Sequence, residues 1–178
     1  MSTLNLDILD GGVSTLSSAA GCFYREAALY CLQQHQEQPN YALSVSGMVN
    51  GSYEISSATQ LNNSAQYTWA DKQEATEYGA VGIAIVLVLR ATEYTAVERS
   101  VKGTGFDYWL GDSDNTPGLP FERKARLECS GILRGDSSQV NSRVKDKSRQ
   151  TTISDETEID AYIVVVEFSN PMAKIIKR

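Results

Sequence analysis

The sequence is poor in the residues that build many metal and redox sites. His35 is the single histidine of 178 residues, which excludes a histidine-rich zinc site. It lies in the polar segment LQQHQEQPN, which favours a surface position at a helix end. The three cysteines (Cys22, Cys31 and Cys129) include no Cys-x-x-Cys pair and cannot all pair in disulfides. We therefore expect reduced, mostly buried thiols of a cytoplasmic protein.

Long hydrophobic runs are also missing. The longest, AVGIAIVLVL at 80–89, has ten residues, whereas about 20 are needed to span a bilayer. The N-terminal segment MSTLNLDILDGG lacks the basic flank and the apolar core of a secretion signal. These absences predict a protein that neither crosses a membrane nor is exported.

Basic side chains are scarce at the start of the chain and concentrated later. Residues 1–80 contain two basic and eight acidic side chains, whereas residues 123–149 contain eight basic and three acidic ones. The net charge of −6 argues against a protein coated in nucleic acid, but a local basic field can still attract a polyanion. A solvated helix face beside a strand end explains the same charges equally well.

The hydrophobic patterns predict an α/β protein that forms one domain over residues 1–178. A helix is expected at 17–36, followed by a β-hairpin around the Asn50-Gly51 turn. These two elements form a predicted N-terminal extension over residues 1–68.

Residues 69–178 form the predicted core, in the order helix, three strands, helix, strand. The first helix runs into the branched apolar stretch Ile83–Leu89, which leaves a late switch to strand open. The three strands can form a meander, and a strand that follows a helix indicates a crossover. We therefore expect a mixed central sheet with helices on both faces.

Two isolated carboxylates lie in the last two strands of the predicted meander. Strand alternation places Asp107 opposite the apolar face of FDYWL, and Glu128 opposite the apolar face of RKARLECSG. If these strands are neighbours, Asp107 and Glu128 converge on one small patch. Two carboxylates and a backbone carbonyl are oxygen ligands that Mg²⁺ accepts. A metal ion there could activate water and neutralise charge on a phosphodiester.

The order of elements, together with GFDYWLG and RLECSG, resembles the core of the PD-(D/E)xK nuclease superfamily, which includes many restriction enzymes. The resemblance extends over about residues 70–168. It implies a restriction-endonuclease-like core in which Asp107 and Glu128 bind the metal. It also places the Cys129 carbonyl toward that metal, and it matches Glu77, or Glu74, with an acidic residue on the leading helix.

The sequence departs from that family at one position, where Ser130 replaces a lysine. The family's lysine helps to position the attacking water and to stabilise developing charge, which a neutral hydroxyl does poorly. Lys124, on the same strand face, and Lys145, on the following helix, are the predicted replacements. Contacts to substrate phosphates are expected from four further basic residues, namely Arg126, Arg134, Arg143 and Lys147.

The sequence therefore predicts magnesium-dependent hydrolysis of DNA or RNA phosphodiesters. Two alternatives stay open. The chain could be a nuclease-like scaffold without catalysis, which binds nucleic acid or a partner as a homo-oligomer or within a larger complex. It could also be an unrelated α/β domain.

Overall fold

Eight β-strands and four α-helices make up the main regular elements of the described residues. The computed structural model describes residues 2–36, 40–113 and 121–178. The strands are β1 (Ser2–Asn5), β2 (Tyr41–Gly47), β3 (Gly51–Ser56), β4 (Ala96–Arg99), β5 (Tyr108–Gly111), β6 (Ala125–Ile132), β7 (Ala161–Glu167) and β8 (Met172–Lys177). The helices are α1 (Ser18–Gln33), α2 (Ala65–Thr68), α3 (Lys72–Ala91) and α4 (Ser137–Gln150).

All eight strands join one mixed sheet in the order β1-β3-β2-β8-β7-β6-β5-β4. Strands β4, β5 and β6 form an antiparallel meander, and β7 lies parallel to β6 after the crossover through α4. The predicted order of helix, three strands, helix and strand is therefore confirmed. The predicted N-terminal extension continues the same sheet, because β2 pairs in parallel with β8. Strand β1, at the edge beside β3, was not predicted.

Helices cover both faces of the sheet, as the sequence predicts. On one face, α1 and α3 pack on a large apolar core that includes Leu127 and Val164. On the other face, Val140 and Val144 of α4 pack against Ala161, Ile163 and Val165 of β7. Strand β7 reads as a continuous apolar run because both of its faces are buried.

Helix α3 is buried over most of its length and remains helical through Ala91. The alternative of a late switch to strand is thus wrong. The Asp71 side chain caps the first turn by accepting hydrogen bonds from the Gln73 and Glu74 amides. Two glycines allow α1 to approach closely, since a Cβ on Gly79 or Gly82 would lie about 3 Å from the Ala27 or Tyr24 carbonyl oxygen. Close packing, rather than propensity, keeps this branched segment helical.

Helix α4 begins at a capping box and closes the second face. The Asp136 carboxylate accepts from the Gln139 amide at 2.9 Å, and the Gln139 side chain accepts from the Asp136 amide at 3.1 Å. Val140 and Val144 form its apolar stripe. This docking holds the helix beside β6, where the isolated glutamate lies.

In the part of the chain that the structure describes, no helix is long and apolar enough to cross a membrane. Cys22, Cys31 and Cys129 are free thiols, and the last two are buried.

Candidate functional site

Asp107 and Glu128 lie side by side at the end of the β5–β6 pair. Asp107 directly precedes β5, in which Tyr108 pairs with Leu127 of β6, and the Asp107 amide donates to the Leu127 carbonyl at 2.9 Å. Both acids line one cleft. The Asp107 carboxylate accepts a hydrogen bond from the Cys129 amide at 2.9 Å, which fixes its position against β6. The predicted convergence of the two acids is therefore present.

Glu128 is a deeply buried acid, and only one of its two carboxylate oxygens is hydrogen-bonded to the described residues. Its side chain is 1% exposed, and its Oε1 accepts from the Lys147 ammonium at 2.6 Å. Gln150 Nε2 also donates to Oε1, at 3.2 Å. Its Oε2 is buried and accepts no hydrogen bond from any described residue. A buried carboxylate oxygen without a donor is costly unless a proton shared with the neighbouring Asp107 carboxyl, or a ligand, satisfies it.

The surroundings of Glu128 oppose its ionisation. Burial, and next the negative charge of Asp107, raise the pKa of the Glu128 carboxyl to about 7, against the Lys147 ammonium, which lowers it. The group therefore changes its charge close to neutral pH. A cation beside Oε2 would favour the ionised form.

The lysine at the site comes from α4 and is neither of the two predicted replacements. Lys124 is engaged by Asp112 at 2.8 Å and Glu122 at 3.1 Å, on the exposed surface. Lys145 is exposed and does not line the cleft described below. Lys124 is therefore held away from Glu128 by its ion pairs. Lys145 lies on another side of α4 from Lys147, because a shift of two residues along a helix turns a side chain by about 200°. Lys147 instead continues the inward stripe of Val140 and Val144.

Ser130 stands where the resemblance has a lysine, and its side chain is hydrogen-bonded to an arginine of α4. Arg143 Nη1 donates to Ser130 Oγ at 2.9 Å and to the Gly131 carbonyl at 3.4 Å. The next residue, Gly131, allows close contact with α3, since a Cβ there would lie 2.3 Å from the Thr76 carbonyl oxygen. This contact brings the first turns of α3 to the rim of the site.

The two acids lie in an open cleft of about 720 Å³ between α3, β6 and α4. Five basic residues line this cleft, against three acidic ones. The basic residues are Lys72, Arg99, Arg134, Arg143 and Lys147, and the acidic ones are Glu77, Asp107 and Glu128. The cleft is therefore net positive around a pair of carboxylates, a combination suited to a phosphate group and a metal ion together.

Glu77 does not join Asp107 and Glu128 in a three-carboxylate set. It lies on α3 at the rim of the cleft, is exposed, and accepts a hydrogen bond from Gln73 Nε2 at 3.2 Å. Among the described residues, no group of three or more histidine, cysteine, aspartate or glutamate side chains is arranged to hold a metal ion. The predicted metal ligands are thus reduced to two carboxylates. Glu74, the other candidate on α3, does not line the cleft.

The prediction that Arg126 contacts substrate phosphates is wrong, because this side chain is buried. It is 3% exposed, and its guanidinium donates to the Ile159 carbonyl, to Ser154 Oγ at 2.7 Å and to the Thr151 carbonyl at 3.3 Å. This side chain therefore holds the 151–159 segment against β6. Of the four predicted phosphate contacts, Arg134, Arg143 and Lys147 line the cleft.

Comparison of the chain with protein-family models, with curated proteins and with solved structures finds no match.

Proposed function

We propose that the protein hydrolyses nucleic-acid phosphodiester bonds with a magnesium ion held by Asp107 and Glu128. The observation that carries the proposal is the contact of the Lys147 ammonium with Glu128, beside Asp107, in a net positive cleft. These are the three charged groups that the PD-(D/E)xK resemblance requires. The lysine is supplied from α4 in place of position 130.

The described fold supports the same assignment. The order of helix, three-strand meander, helix and parallel strand agrees with the restriction-endonuclease-like core that the resemblance implies. Asp107, directly before β5, and Glu128, in β6, lie next to each other within it.

The residues present fit a hard divalent cation. Glu128 Oε2 is buried without a hydrogen-bond partner among the described residues, and Asp107 lies next to it. Mg²⁺ is commonly held by one or two carboxylates and keeps several waters, so a third protein carboxylate is not required. Bound Mg²⁺ would lower the pKa of a ligated water and neutralise charge on the phosphate.

The side chains of the cleft supply the remaining functions. The Lys147 ammonium has three N–H donors, and its contact with Glu128 holds it where it can orient water and stabilise charge on a phosphate oxygen. Arg143, tethered to Ser130, and Arg134 provide positive charge for flanking phosphates. Asp107 is fixed by the Cys129 amide, so the acid does not need to reorganise on binding.

The test is cleavage of end-labelled DNA and RNA, single- and double-stranded, by purified protein with Mg²⁺ or with EDTA. We expect cleavage with Mg²⁺ alone and a loss of at least about 100-fold in Asp107→Asn and Glu128→Gln. Variants purified in the same way control for contaminating nucleases. Binding without cleavage in any substrate would contradict the proposal and favour a non-catalytic binding subunit.

A further inference from the structure

A second concave surface adjoins the cleft. It lies between α1, α3 and β4 and has a volume of about 840 Å³, within the range of roughly 300–1,000 Å³ found for small-molecule sites. Its walls are mainly apolar and aromatic. We call this surface the aromatic groove; its aromatic members on the helices are Phe23, Tyr24 and Tyr78.

The aromatic groove and the cleft are neighbours. Tyr78 and Arg99 line both of them. A strand whose phosphate occupies the cleft can therefore reach the groove with an adjacent base. Arg99 places a positive charge at this junction, next to the path that a phosphate backbone would follow.

Phe23 is the exposed ring on the helical side of the aromatic groove, whereas Tyr24 and Tyr78 are partly buried. Phe23 is 41% exposed, although it contacts Tyr78 at 4.9 Å and Trp69 at 4.7 Å between ring centroids. Exposed aromatic faces beside a basic channel are the surfaces on which unpaired bases stack, with about 1–3 kcal/mol per base.

A hydrogen-bond chain adds a polar edge to the groove. Arg99 Nη1 donates to the Tyr108 hydroxyl at 2.8 Å, and Tyr108 donates to the Tyr24 hydroxyl at 2.7 Å. Because Tyr24 accepts in this chain, its own proton is left to donate to an acceptor on the rim of a base. Apolar walls combined with one directed donor suit a planar heterocycle better than an aliphatic ligand.

We propose that the aromatic groove binds an unpaired nucleobase of the strand whose phosphate lies in the cleft, so that single-stranded nucleic acid is the substrate class. This inference rests on the function proposed for the cleft. A paired base is held inside the duplex, and its extrusion costs a few kcal/mol. The groove thus favours strands whose bases are already free.

The test measures binding, by fluorescence anisotropy in Asp107→Asn protein with Mg²⁺, so that cleavage does not interfere. The probes are a labelled single strand, the same strand with abasic sites and the matching duplex. Phe23→Ala and Phe23→Leu are compared with Tyr67→Ala, which removes an aromatic ring that is 84% exposed and does not line the groove. Phe23→Leu keeps apolar packing and removes only the aromatic face.

We expect both Phe23 variants to weaken single-strand binding by roughly 5- to 100-fold, and Tyr67→Ala to leave it unchanged. On the abasic strand and on the duplex, the Phe23 variants should bind like the parent protein. Equal binding of parent and Phe23 variants to the single strand would overturn the groove assignment, even if the cleavage assay succeeds. If the native protein cleaves no substrate but single-strand binding still depends on Phe23, the proposed hydrolase activity is refuted and the groove remains a base-binding surface.

Discussion

The Lys147 ammonium lies 2.6 Å from Oε1 of the buried Glu128. Glu128 belongs to β6, and Lys147 belongs to α4, the helix that follows it in the chain. Lys147 thus contacts the Glu128 carboxylate from α4, whereas the family's lysine would lie at position 130, two residues after Glu128 on β6. At position 130 itself, Arg143 of α4 donates a hydrogen bond to the Ser130 hydroxyl. The contacts of Glu128 and Ser130 with basic residues thus both join β6 to α4, and the contribution of each can be measured separately.

Metal affinity should depend on pH through Glu128. Burial and Asp107 raise the pKa of its carboxyl from 4.5 to about 7, so the metal-free site is mainly protonated below that pH. Binding must displace this proton, and affinity for Mn²⁺ or Mg²⁺ should rise about tenfold per pH unit up to 7 and then level off. Calorimetric titrations from about pH 5.5 to 8.5 check this. A flat profile in the native protein, equal to that of Glu128→Gln, would contradict it.

The salt dependence of nucleic-acid binding should be set by the arginines of the cleft. Arg134→Gln and Arg143→Gln each remove one charge from its wall. Each should lower the slope of log affinity against log salt by about 0.7–0.9 per lost phosphate contact. Lys124→Gln is the control, since Lys124 is engaged by Asp112 and Glu122 outside the cleft. An equal change of slope in all three variants would refute a localised phosphate path.

Arg126 should be needed for folding rather than for binding. Arg126→Met removes the guanidinium that donates to the Ile159 carbonyl and to Ser154 Oγ and opens a gap beside β6, which should cost about 2–4 kcal/mol in the free energy of unfolding. Urea titration measures this loss. The exposed pair of Arg123 with Glu98 offers the comparison, since Arg123→Met should cost less than about 1 kcal/mol. If Arg126→Met kept full stability and lost nucleic-acid binding, the structural role would be wrong.

Gly131 should be intolerant of a side chain. A Cβ there would lie 2.3 Å from the Thr76 carbonyl oxygen and would push α3 away from β6. We expect Gly131→Ala to lower the free energy of unfolding by about 1–3 kcal/mol and to weaken metal binding. Gly51→Ala, whose Cβ has only an ordinary contact at 3.7 Å with the Tyr53 ring, should change stability by less than about 0.5 kcal/mol. Equal stability of the two variants would show that this contact can relax.

Much of the fold follows from local patterns. The hairpin of β2 and β3 and the alternation in β6 each depend on neighbouring residues and follow from the sequence. The turn itself lies at 46–50 and not at the predicted Asn50-Gly51 pair, because Gly51 already pairs with Val45 in the sheet. Strand β1 was missed because four residues at a sheet edge carry little periodic signal.

The site was predicted less completely. Asp107 and Glu128 could be paired from strand alternation, but the choice of lysine depended on the rotation of α4. A signal was present, since Lys147 follows Val140 and Val144 at i, i+4 and i+7, where a core-facing helix carries apolar residues. A charge in that stripe requires a buried partner. Arg126 was placed on the correct face of β6, but its burial arises from the 151–159 segment, which strand alternation does not describe.

The central claim is that Lys147 acts together with Asp107 and Glu128 in phosphodiester cleavage. The direct measurement is the Mg²⁺-dependent cleavage rate of Lys147→Met against that of Lys145→Met, which removes the same charge from the exposed side of α4. We predict a loss of at least about 100-fold for Lys147→Met and a rate within about twofold of the native protein for Lys145→Met. A native rate in Lys147→Met, or an equal loss in both variants, would contradict the account.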